Sequence, residues 1–259
     1  MGIAALLFTS DPAQARAAAE GGAEAAVVDL ESLGKAERQR GAGTDISGHT
    51  LADVRRVRDA GVAVVCRIDG PHAGTPAQID AVLAAGAGEI LVPMVRTAAE
   101  VRAVLDHVAG RARVGIMVET PEAVEAAPEL ARLAIARAYV GLNDLSLARR
   151  SQNLFAPVID GTVERLRRCF DVPFGFGGLT LPELGHPIPA RLLLGEMVRL
   201  GCGFGFLRRS FARDAAGIGC AEGVRRIRAG AEACARRTPA EVEADRAALA
   251  AAVAGWIDR

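Results

Sequence analysis

The sequence contains VGIMVET at residues 114–120 and YVGLNDLS at residues 139–146, two apolar stretches that each lead into a carboxylate. Apolar runs of this length are typical of strands buried on both faces, as in a parallel sheet covered by helices. Residues 121–133, PEAVEAAPELARL, separate them and carry a proline and a glutamate where a helix would begin. This stretch predicts a strand, helix, strand unit in which Glu119 and Asp144 emerge at the same edge of a parallel sheet.

The same alternation extends outward from this unit in both directions. Helical patterns with capping residues or glycines at their ends separate the apolar runs. Eight strands alternating with helices predict a (β/α)8 TIM barrel rather than an open doubly wound sheet. No GxGxxG motif follows the first predicted strand, which argues against a dinucleotide-binding domain. The predicted strands cover residues 3–8, 25–30, 62–68, 89–94, 114–120, 139–146, 172–176 and 204–207.

A C-terminal helical extension, residues 238–259, follows the predicted catalytic barrel domain of residues 1–237. Thr238 and Pro239 interrupt the preceding helix, and an amphipathic helical pattern covers residues 240–257. This extra helix has two roles open to it, because it can cover the bottom or side of the barrel or contact another subunit.

The composition points to a globular chain with a small-molecule partner. Of the 259 residues, 51% are hydrophobic, enough to bury one large core. The formal net charge is zero, so we expect no electrostatic surface for nucleic acid or an anionic membrane. Only 4% of the residues are aromatic, which argues against a stacking platform for bases.

The five cysteines are widely spaced and form no CxxC pair, which is typical of small buried side chains in a reducing cytosol. The opening residues, MGIAALLFTSDP, have a short apolar run with no basic segment before it. They predict neither a signal peptide nor a membrane span. We therefore expect a soluble cytoplasmic protein.

Charged residues stand at the ends of several predicted strands. In a barrel the C-terminal ends of the strands face the active site, so five charged side chains at such ends would surround one mouth of the barrel. Helix capping is the structural alternative, but it does not readily explain five charges on one face. Two carboxylates at neighbouring strand ends can share a hard cation, and oxygen ligands favour Mg²⁺ or Mn²⁺ over Zn²⁺. The five residues are Asp29, Glu31, Arg67, Glu119 and Asp144.

Three of the four histidines follow predicted strands and so fall on the catalytic face: His49, His72 and His186. His107 lies late in a predicted helix on the opposite side, where a structural role is expected. No pair has the spacing of zinc ligands. A loop histidine is either a solvated or capping residue or a general base, and both interpretations stay open for the three.

Two further segments on the predicted catalytic face could meet a ligand. Gly177 and Gly178 follow the seventh strand, where backbone amides can approach an anion, although an ordinary tight turn is the slightly favoured explanation. Lys35, Arg38 and Arg40 lie in the long polar loop after the second strand. These cations would suit a polyanionic tail such as that of coenzyme A, or they form a solvated basic loop.

Five motifs taken together resemble the HpcH/HpaI aldolase and citrate lyase β-subunit family of the phosphoenolpyruvate/pyruvate barrel superfamily. The resemblance covers residues 3–147 well, and the order and spacing of the motifs carry it. They are VVDLE at 27–31, CRIDGP at 66–71, GAGEILVPMVRTAAEV at 86–101, MVET at 117–120 and VGLNDLS at 140–146.

The resemblance implies a metal-dependent carbon–carbon lyase or aldolase that acts on a 2-keto acid or acyl thioester through an enolate. It implies Mg²⁺ or Mn²⁺ held by Glu119 and Asp144, and Arg67 over the enolate oxygen. Backbone amides at Asn143 and Asp144 would hold the substrate carboxylate. It also implies a homo-oligomer, because barrels of this superfamily pair through C-terminal helices.

The chain departs from the family pattern at two places within the matched region, and from Arg149 onward it matches neither branch closely. LESLGK at residues 30–35 replaces the segment in which the aldolase branch carries a histidine base. His186 and His49 are therefore candidates for the proton transfer, followed by Asp29 and Glu31. Gly141-Leu142-Asn143 replaces the usual Gly-Pro before the second metal ligand, which is a milder change.

Three functions stay open on these observations. The lyase is favoured by Glu119, Asp144 and Arg67, which match the family. A thioester hydrolase or decarboxylase that uses the same enolate site is favoured by the missing histidine. A non-catalytic barrel for ligand binding or assembly is the third alternative, because this fold hosts many functions.

Overall fold

A parallel sheet of short strands forms the centre of the protein. The computed structural model describes residues 2–34 and 48–256, and within them the sheet has nine strands. They are β1 (Ala4–Phe8), β2 (Ala25–Asp29), β3 (Val64–Arg67), β4 (Glu89–Val92), β5 (Arg113–Val118), β6 (Arg137–Val140), β7 (Phe174–Phe176), β8 (Gly178–Leu179) and β9 (Phe204–Leu207).

The sheet curves into a nearly closed barrel with the order β7-β6-β5-β4-β3-β2-β1-β9-β8. Gly177, with φ of +64°, lies between β7 and β8 and turns the chain from one neighbouring strand to another. β7 pairs with β6, whereas β8 pairs with β9. The amide of Gly203 also donates to the carbonyl of Phe174 at 2.9 Å. β7 and β8 together therefore occupy one of the eight strand positions around the barrel. The predicted (β/α)8 TIM barrel is confirmed.

Helices follow the strands and cover the outside of the barrel. They are α1 (Pro12–Glu20), α2 (Leu51–Asp59), α3 (Thr75–Ala85), α4 (Ala98–Val108), α5 (Pro121–Glu125), α6 (Ala127–Leu130), α7 (Leu142–Ala148), α8 (Ala156–Ile159), α9 (Thr162–Cys169), α10 (Ala190–Arg199), α11 (Phe211–Asp214), α12 (Cys220–Ala235) and α13 (Pro239–Ala254).

Three segments that the sequence pattern predicts as single helices, residues 121–133, 157–170 and 213–237, are interrupted. Pro128 lacks the amide hydrogen that would continue α5, so α6 begins as a separate turn. Gly161 and Gly219 both have φ of +84°, outside the helical region, and they precede α9 and α12. The predicted strand at 139–146 is also too long, because β6 ends at Val140 and the remaining residues form α7.

Two apolar layers stabilise the barrel. Alternate residues of each strand point inward or outward, as in β2, where Val27 lies in the interior layer and Val28 in the outer one. The outer layer packs against the helices. The interior layer consists of Leu6, Ala25, Val27, Val65, Leu91, Met117, Tyr139, Phe204 and Phe206.

Ion pairs occupy the N-terminal end of the barrel. The Nε of Arg137 lies 2.6 Å from Oε1 of Glu89, and both side chains are buried. Arg113 reaches the other oxygen of Glu89 at 2.8 Å. A buried pair of this kind is costly to break, because the remaining partner would be left as an isolated charge. The charges at this end therefore serve the fold, and the open end of the barrel is the opposite one.

The C-terminal helix α13 packs on its own barrel. It buries Leu249 and Val253 and lies against α10 and α8. Asn153, in the loop before α8, donates to the carbonyls of Val253 at 2.6 Å and Trp256 at 2.7 Å. Within the chain the extension thus covers the side of the barrel, and homo-oligomerisation stays a prediction.

Over residues 2–34 and 48–256, the helices are all too short or too polar to cross a lipid bilayer.

Candidate active site

A cavity of about 620 Å³ opens at the C-terminal ends of the strands, a size that suits a small molecule. Most of the residues predicted to carry the function line it. These are Asp29, His49, Arg67, Glu119, Asn143, Asp144, Gly177 and Gly178. Glu31 is buried beside the cavity rather than on its surface, and His186 is exposed and does not line it.

Glu119 directly follows β5 and is 1% exposed. Its Oε1 accepts a hydrogen bond of 2.9 Å from the amide of Met94, whose backbone has the uncommon φ of +54°. Its Oε2 has no hydrogen-bond partner within the described residues. Burial, followed by the nearby charges of Asp144 and Glu31, raises the pKa of Glu119 to about 8. This carboxylate is thus held on one side and unsatisfied on the other.

Asp144 reaches the cavity from a different element than the sequence predicted. It lies in the first turn of α7, with Asn143 beside it, and not at a strand end. Gly141 begins the helix immediately after β6, so the side chain still points to the same mouth as Glu119. The expected proximity of the two carboxylates is present, since the charge of Asp144 acts on the pKa of Glu119.

The two carboxylates fit a divalent cation. Oε2 of Glu119, which has no partner in the described part of the chain, and the neighbouring Asp144 supply hard oxygen donors. Mg²⁺ is commonly bound through one or two carboxylates together with water and substrate oxygens. The described ranges contain no group of three or more histidine, cysteine or acidic side chains arranged for a metal. An ion held by these two carboxylates would have its other positions filled by water or substrate oxygens.

Arg67, the last residue of β3, is held by two acids. Its Nε and Nη2 donate to the two carboxylate oxygens of Asp29 at 2.9 and 2.8 Å, and its Nη1 lies 3.4 Å from Glu31. Its Cζ also lies 5.0 Å from the ring centre of Phe8. Burial alone would lower the pKa of Arg67, but pairing with both acids raises it above its usual value. Asp29 and Glu31 thus fix the guanidinium at the cavity wall.

The four histidines lie in different environments. Nδ1 of His49 accepts the amide hydrogen of Asp29 at 3.0 Å, so a neutral ring carries its proton on Nε2. Nδ1 of His72 accepts from the amide of Gly74 at 3.0 Å in the turn before α3. His107 lies 3.1 Å from Asp80 on the outer helices, in agreement with a structural role. Only His49 of the four lines the cavity.

The glycines after β7 have structural contacts of their own, and their binding of a ligand through backbone amides stays a prediction. The carbonyl of Gly177 accepts a hydrogen bond from the hydroxyl of Tyr139, which is buried. A Cβ on Gly178 would lie 2.6 Å from the Cβ of Arg208, so glycine leaves room for that arginine. Lys35, Arg38 and Arg40 lie outside the described residues.

Several residues of the site were not singled out from the sequence. Asp69, in the CRIDGP motif, accepts from the amides of Ser32 at 2.6 Å and Leu33 at 2.8 Å and so fixes the chain after β2. Arg208 follows β9 directly and lines the cavity. The signal for Arg208 was the one that identified Arg67, an arginine at the end of a predicted strand. Tyr139 and Phe206 also line the cavity from the barrel interior.

Solved structures share this fold. An HpcH/HpaI aldolase from Desulfitobacterium hafniense is 17% identical, with 83% of this chain and 90% of that chain covered and a TM-score of 0.63. RipC from Yersinia pestis is 16% identical, with 93% and 98% covered and a TM-score of 0.57. An HpcH/HpaI aldolase/citrate lyase family protein from Burkholderia cenocepacia is 14% identical, with 80% and 87% covered and a TM-score of 0.57.

Sequence comparison gives the family. No curated protein sequence is significantly similar to this chain. The family model of HpcH/HpaI aldolase/citrate lyase matches residues 5–153, which is more than half of the chain and includes Arg67, Glu119 and Asp144. The chain therefore belongs to the HpcH/HpaI aldolase/citrate lyase family.

Proposed function

We propose that this protein is a divalent-metal-dependent carbon–carbon lyase that works through the enolate of a 2-keto acid or an acyl thioester. The observation that carries the proposal is the buried carboxylate of Glu119, whose Oε2 has no hydrogen-bond partner among the described residues and lies near Asp144 in a cavity that Arg67 also lines. Mg²⁺ or Mn²⁺ would be held by Glu119 and Asp144. When bound, the ion supplies positive charge to the oxygen on which the enolate develops.

Arg67 is suited to stabilise the same oxygen. Its guanidinium stays charged at all relevant pH values and is held by Asp29 and Glu31 before any substrate arrives. A donor that is already in place stabilises developing charge without reorganisation, which is the largest single contribution in many enzymes. Asp29 and Glu31 are thus positioning residues for Arg67 in this proposal.

Cleavage of the carbon–carbon bond requires that a hydroxyl of the substrate lose a proton and that the enolate carbon gain one. In the cleavage direction a hydroxyl of the substrate loses its proton, the carbon–carbon bond breaks, a carbonyl forms and the electron pair passes into the enolate. The enolate carbon then takes up a proton. His49 is the group that we assign to the proton transfer, because it lines the cavity. Its Nε2 can accept a proton only when the hydrogen bond from the amide of Asp29 to Nδ1 is released, since that bond keeps the proton of the neutral ring on Nε2.

Titration calorimetry with Mg²⁺ or Mn²⁺ and then oxalate tests the site, since oxalate resembles the planar pyruvate enolate. We expect the parent protein to bind both and Asp144→Ala to bind neither. Arg67→Lys should bind the metal but bind oxalate more weakly and lose about 10²-fold or more in turnover, because lysine lacks the planar fork. The matched controls are Asp171→Asn and Arg165→Lys, at exposed positions outside the cavity.

A screen of 2-keto acids and acyl thioesters with the same ions identifies the reaction. If Asp144→Ala binds metal and oxalate as the parent does, the site assignment is wrong and the lyase loses its main support. Binding of both ligands with thioester hydrolysis or decarboxylation, and no aldol-type cleavage that releases a carbonyl product, would replace the lyase by its closest alternative. Binding without any turnover would favour a ligand-binding barrel.

A further inference from the structure

Arg208 continues the inward-facing row of β9 into the cavity. Phe204 and Phe206 belong to the interior layer of the barrel, and side chains two residues apart on a strand point to the same face. The amide of Arg208 donates to the carbonyl of Leu179 at 2.9 Å, so the strand pairing still holds at this residue. Its side chain lies at the mouth and lines the cavity, where Gly178 leaves space for it.

The guanidinium of Arg208 is held in place. Its Nε donates to Oγ of Ser210 at 2.8 Å, and its Nη2 lies 3.8 Å from Oδ2 of Asp214. Asp214 is shared, because it also accepts hydrogen bonds from Ser210 at 2.8 Å and from Thr180 at 2.6 Å. The side chain of Arg208 keeps 20% of its surface exposed. These contacts orient the arginine and leave part of it accessible from the cavity.

Two of the three arginines that line the cavity, Arg67 and Arg208, differ in how their charge is balanced. Arg67 is in close contact with two carboxylates, which together raise its pKa. At Arg208, burial lowers the pKa, and the attraction of Asp214 does not offset this. The carboxylates of Asp29 and Glu31 thus balance the positive charge of Arg67, whereas the carboxylate of Asp214 balances that of Arg208 only in part. A bound anion would supply the remaining negative charge beside Arg208.

Arg208 lies across the mouth from the enolate site. Around the barrel, β9 is three positions from β3, which carries Arg67, and three positions from β5, which precedes Glu119. A substrate whose reacting end lies between Arg67 and the two metal ligands would therefore extend toward Arg208.

We propose that Arg208 binds an anionic group, a carboxylate or a phosphate, at the end of the substrate remote from the enolate. This inference rests on the proposed function, since it assumes that the enolate lies at Glu119, Asp144 and Arg67. In the condensation direction, a proton leaves the methyl group of pyruvate, the resulting enolate carbon bonds to an aldehyde carbon, and the aldehyde oxygen takes up a proton. Arg208 selects the aldehyde by the charge at its far end.

Paired aldehydes test the selection. With pyruvate and Mg²⁺, the ratio of kcat/KM for succinic semialdehyde to that for butanal measures preference for a carboxylate. Glyceraldehyde 3-phosphate against glyceraldehyde measures preference for a phosphate. Arg208→Met should lower the preferred ratio about 10²-fold, mainly through KM, and Arg208→Lys should retain part of it. Arg168→Met, which removes an exposed arginine of α9, is the matched control.

Calorimetric titration with succinate and with inorganic phosphate tests Arg208 without turnover. Binding of one of them by the parent and its loss in Arg208→Met, with the melting curve retained, supports the inference. Failure of the parent to bind either anion, or equal ratios and equal binding in Arg208→Met and the parent, overturns it. A parent that neither binds oxalate nor condenses any aldehyde refutes the proposed function instead, and the anion titration still decides the role of Arg208.

Discussion

The carboxylate of Glu119 occupies the space in which a side chain at Gly141 would begin. A Cβ at residue 141 would lie 2.8 Å from the Cβ of Glu119 and would collide with its Oε2. Oε2 is the oxygen without a hydrogen-bond partner in the described part of the chain, and hence the one that we assign to the metal. The absence of a side chain at Gly141 is therefore a condition for the geometry of the site.

Replacing Gly141 by alanine should displace Glu119 and weaken Mg²⁺ binding by about 10-fold or more, since a forced shift in a packed site costs about 1–3 kcal/mol. Calorimetry of Mg²⁺ binding measures this. Gly217→Ala is the control, because nothing lies within 4 Å of a Cβ built at that position. Unchanged metal affinity in Gly141→Ala would show that Oε2 of Glu119 is not a ligand.

Asp29→Asn should separate the orientation of Arg67 from metal binding. The amide keeps the shape of the side chain but cannot accept both hydrogen bonds that Asp29 now accepts from Arg67. We expect turnover to fall about 10-fold to 10²-fold because the guanidinium is misplaced, with metal affinity unchanged. Steady-state kinetics and calorimetry on the same preparation measure the two effects.

Asp59→Asn is the corresponding control. It removes an exposed aspartate that pairs with Arg58 at 2.6 Å outside the cavity, and exposed pairs contribute at most about 1 kcal/mol. If Asp29→Asn has full turnover, Asp29 does not position Arg67 for catalysis.

The position of the site was predictable because it follows from topology. Parallel strands place their C-terminal ends together, so a strand count and the location of Glu119 and Arg67 were enough to bring them to one mouth. The pairing of Arg67 with Asp29 was not predictable, because it depends on the register between β2 and β3, in which these two residues are opposite each other. The sequence pattern of one strand contains no information about that register.

Other differences arise from contacts distant in sequence. Asp144 lies in the site although it is on α7, because Gly141 alone separates β6 from the helix and the first turn of the helix stays at the same mouth. His49 and His186 both follow strands in the sequence, yet only His49 faces the cavity. The direction of a loop side chain depends on what it packs against, and no local pattern encodes that.

Asp245 on α13 should make the stability of the C-terminal helix depend on pH. Burial raises its pKa, but hydrogen bonds from Arg191 and Arg237, each 2.6 Å long, outweigh this and lower it below the usual 3.8. The folded chain therefore binds the proton less tightly than the unfolded chain. The stabilisation is complete above about pH 4 and is lost as the pH falls through the lowered pKa.

Urea unfolding of Asp245→Asn checks this expectation. The variant should be less stable than the parent by about 1–2 kcal/mol at pH 7, and the difference should shrink as the pH falls below about 4. Glu243→Gln on the same helix is the control, since Glu243 is 73% exposed in its pair with Arg246. A difference between parent and Asp245→Asn that stays constant with pH would contradict the assignment.

His49→Asn addresses the proton transfer. Asparagine can still accept the amide hydrogen of Asp29, which His49 now accepts at 3.0 Å, so the local fold should persist. It cannot exchange a proton, and turnover should fall about 10²-fold or more while metal and oxalate affinities stay at the parent values. Initial rates in parallel with calorimetry separate the two quantities.

His186→Asn completes this experiment because both histidines were candidates on sequence alone. His186 is exposed and does not line the cavity, so we expect its replacement to leave turnover near that of the parent. A larger loss in His186→Asn than in His49→Asn would refute the assignment of His49. If both variants keep full turnover, the proton passes through neither ring, and Asp29 and Glu31 become the candidates despite their contacts with Arg67.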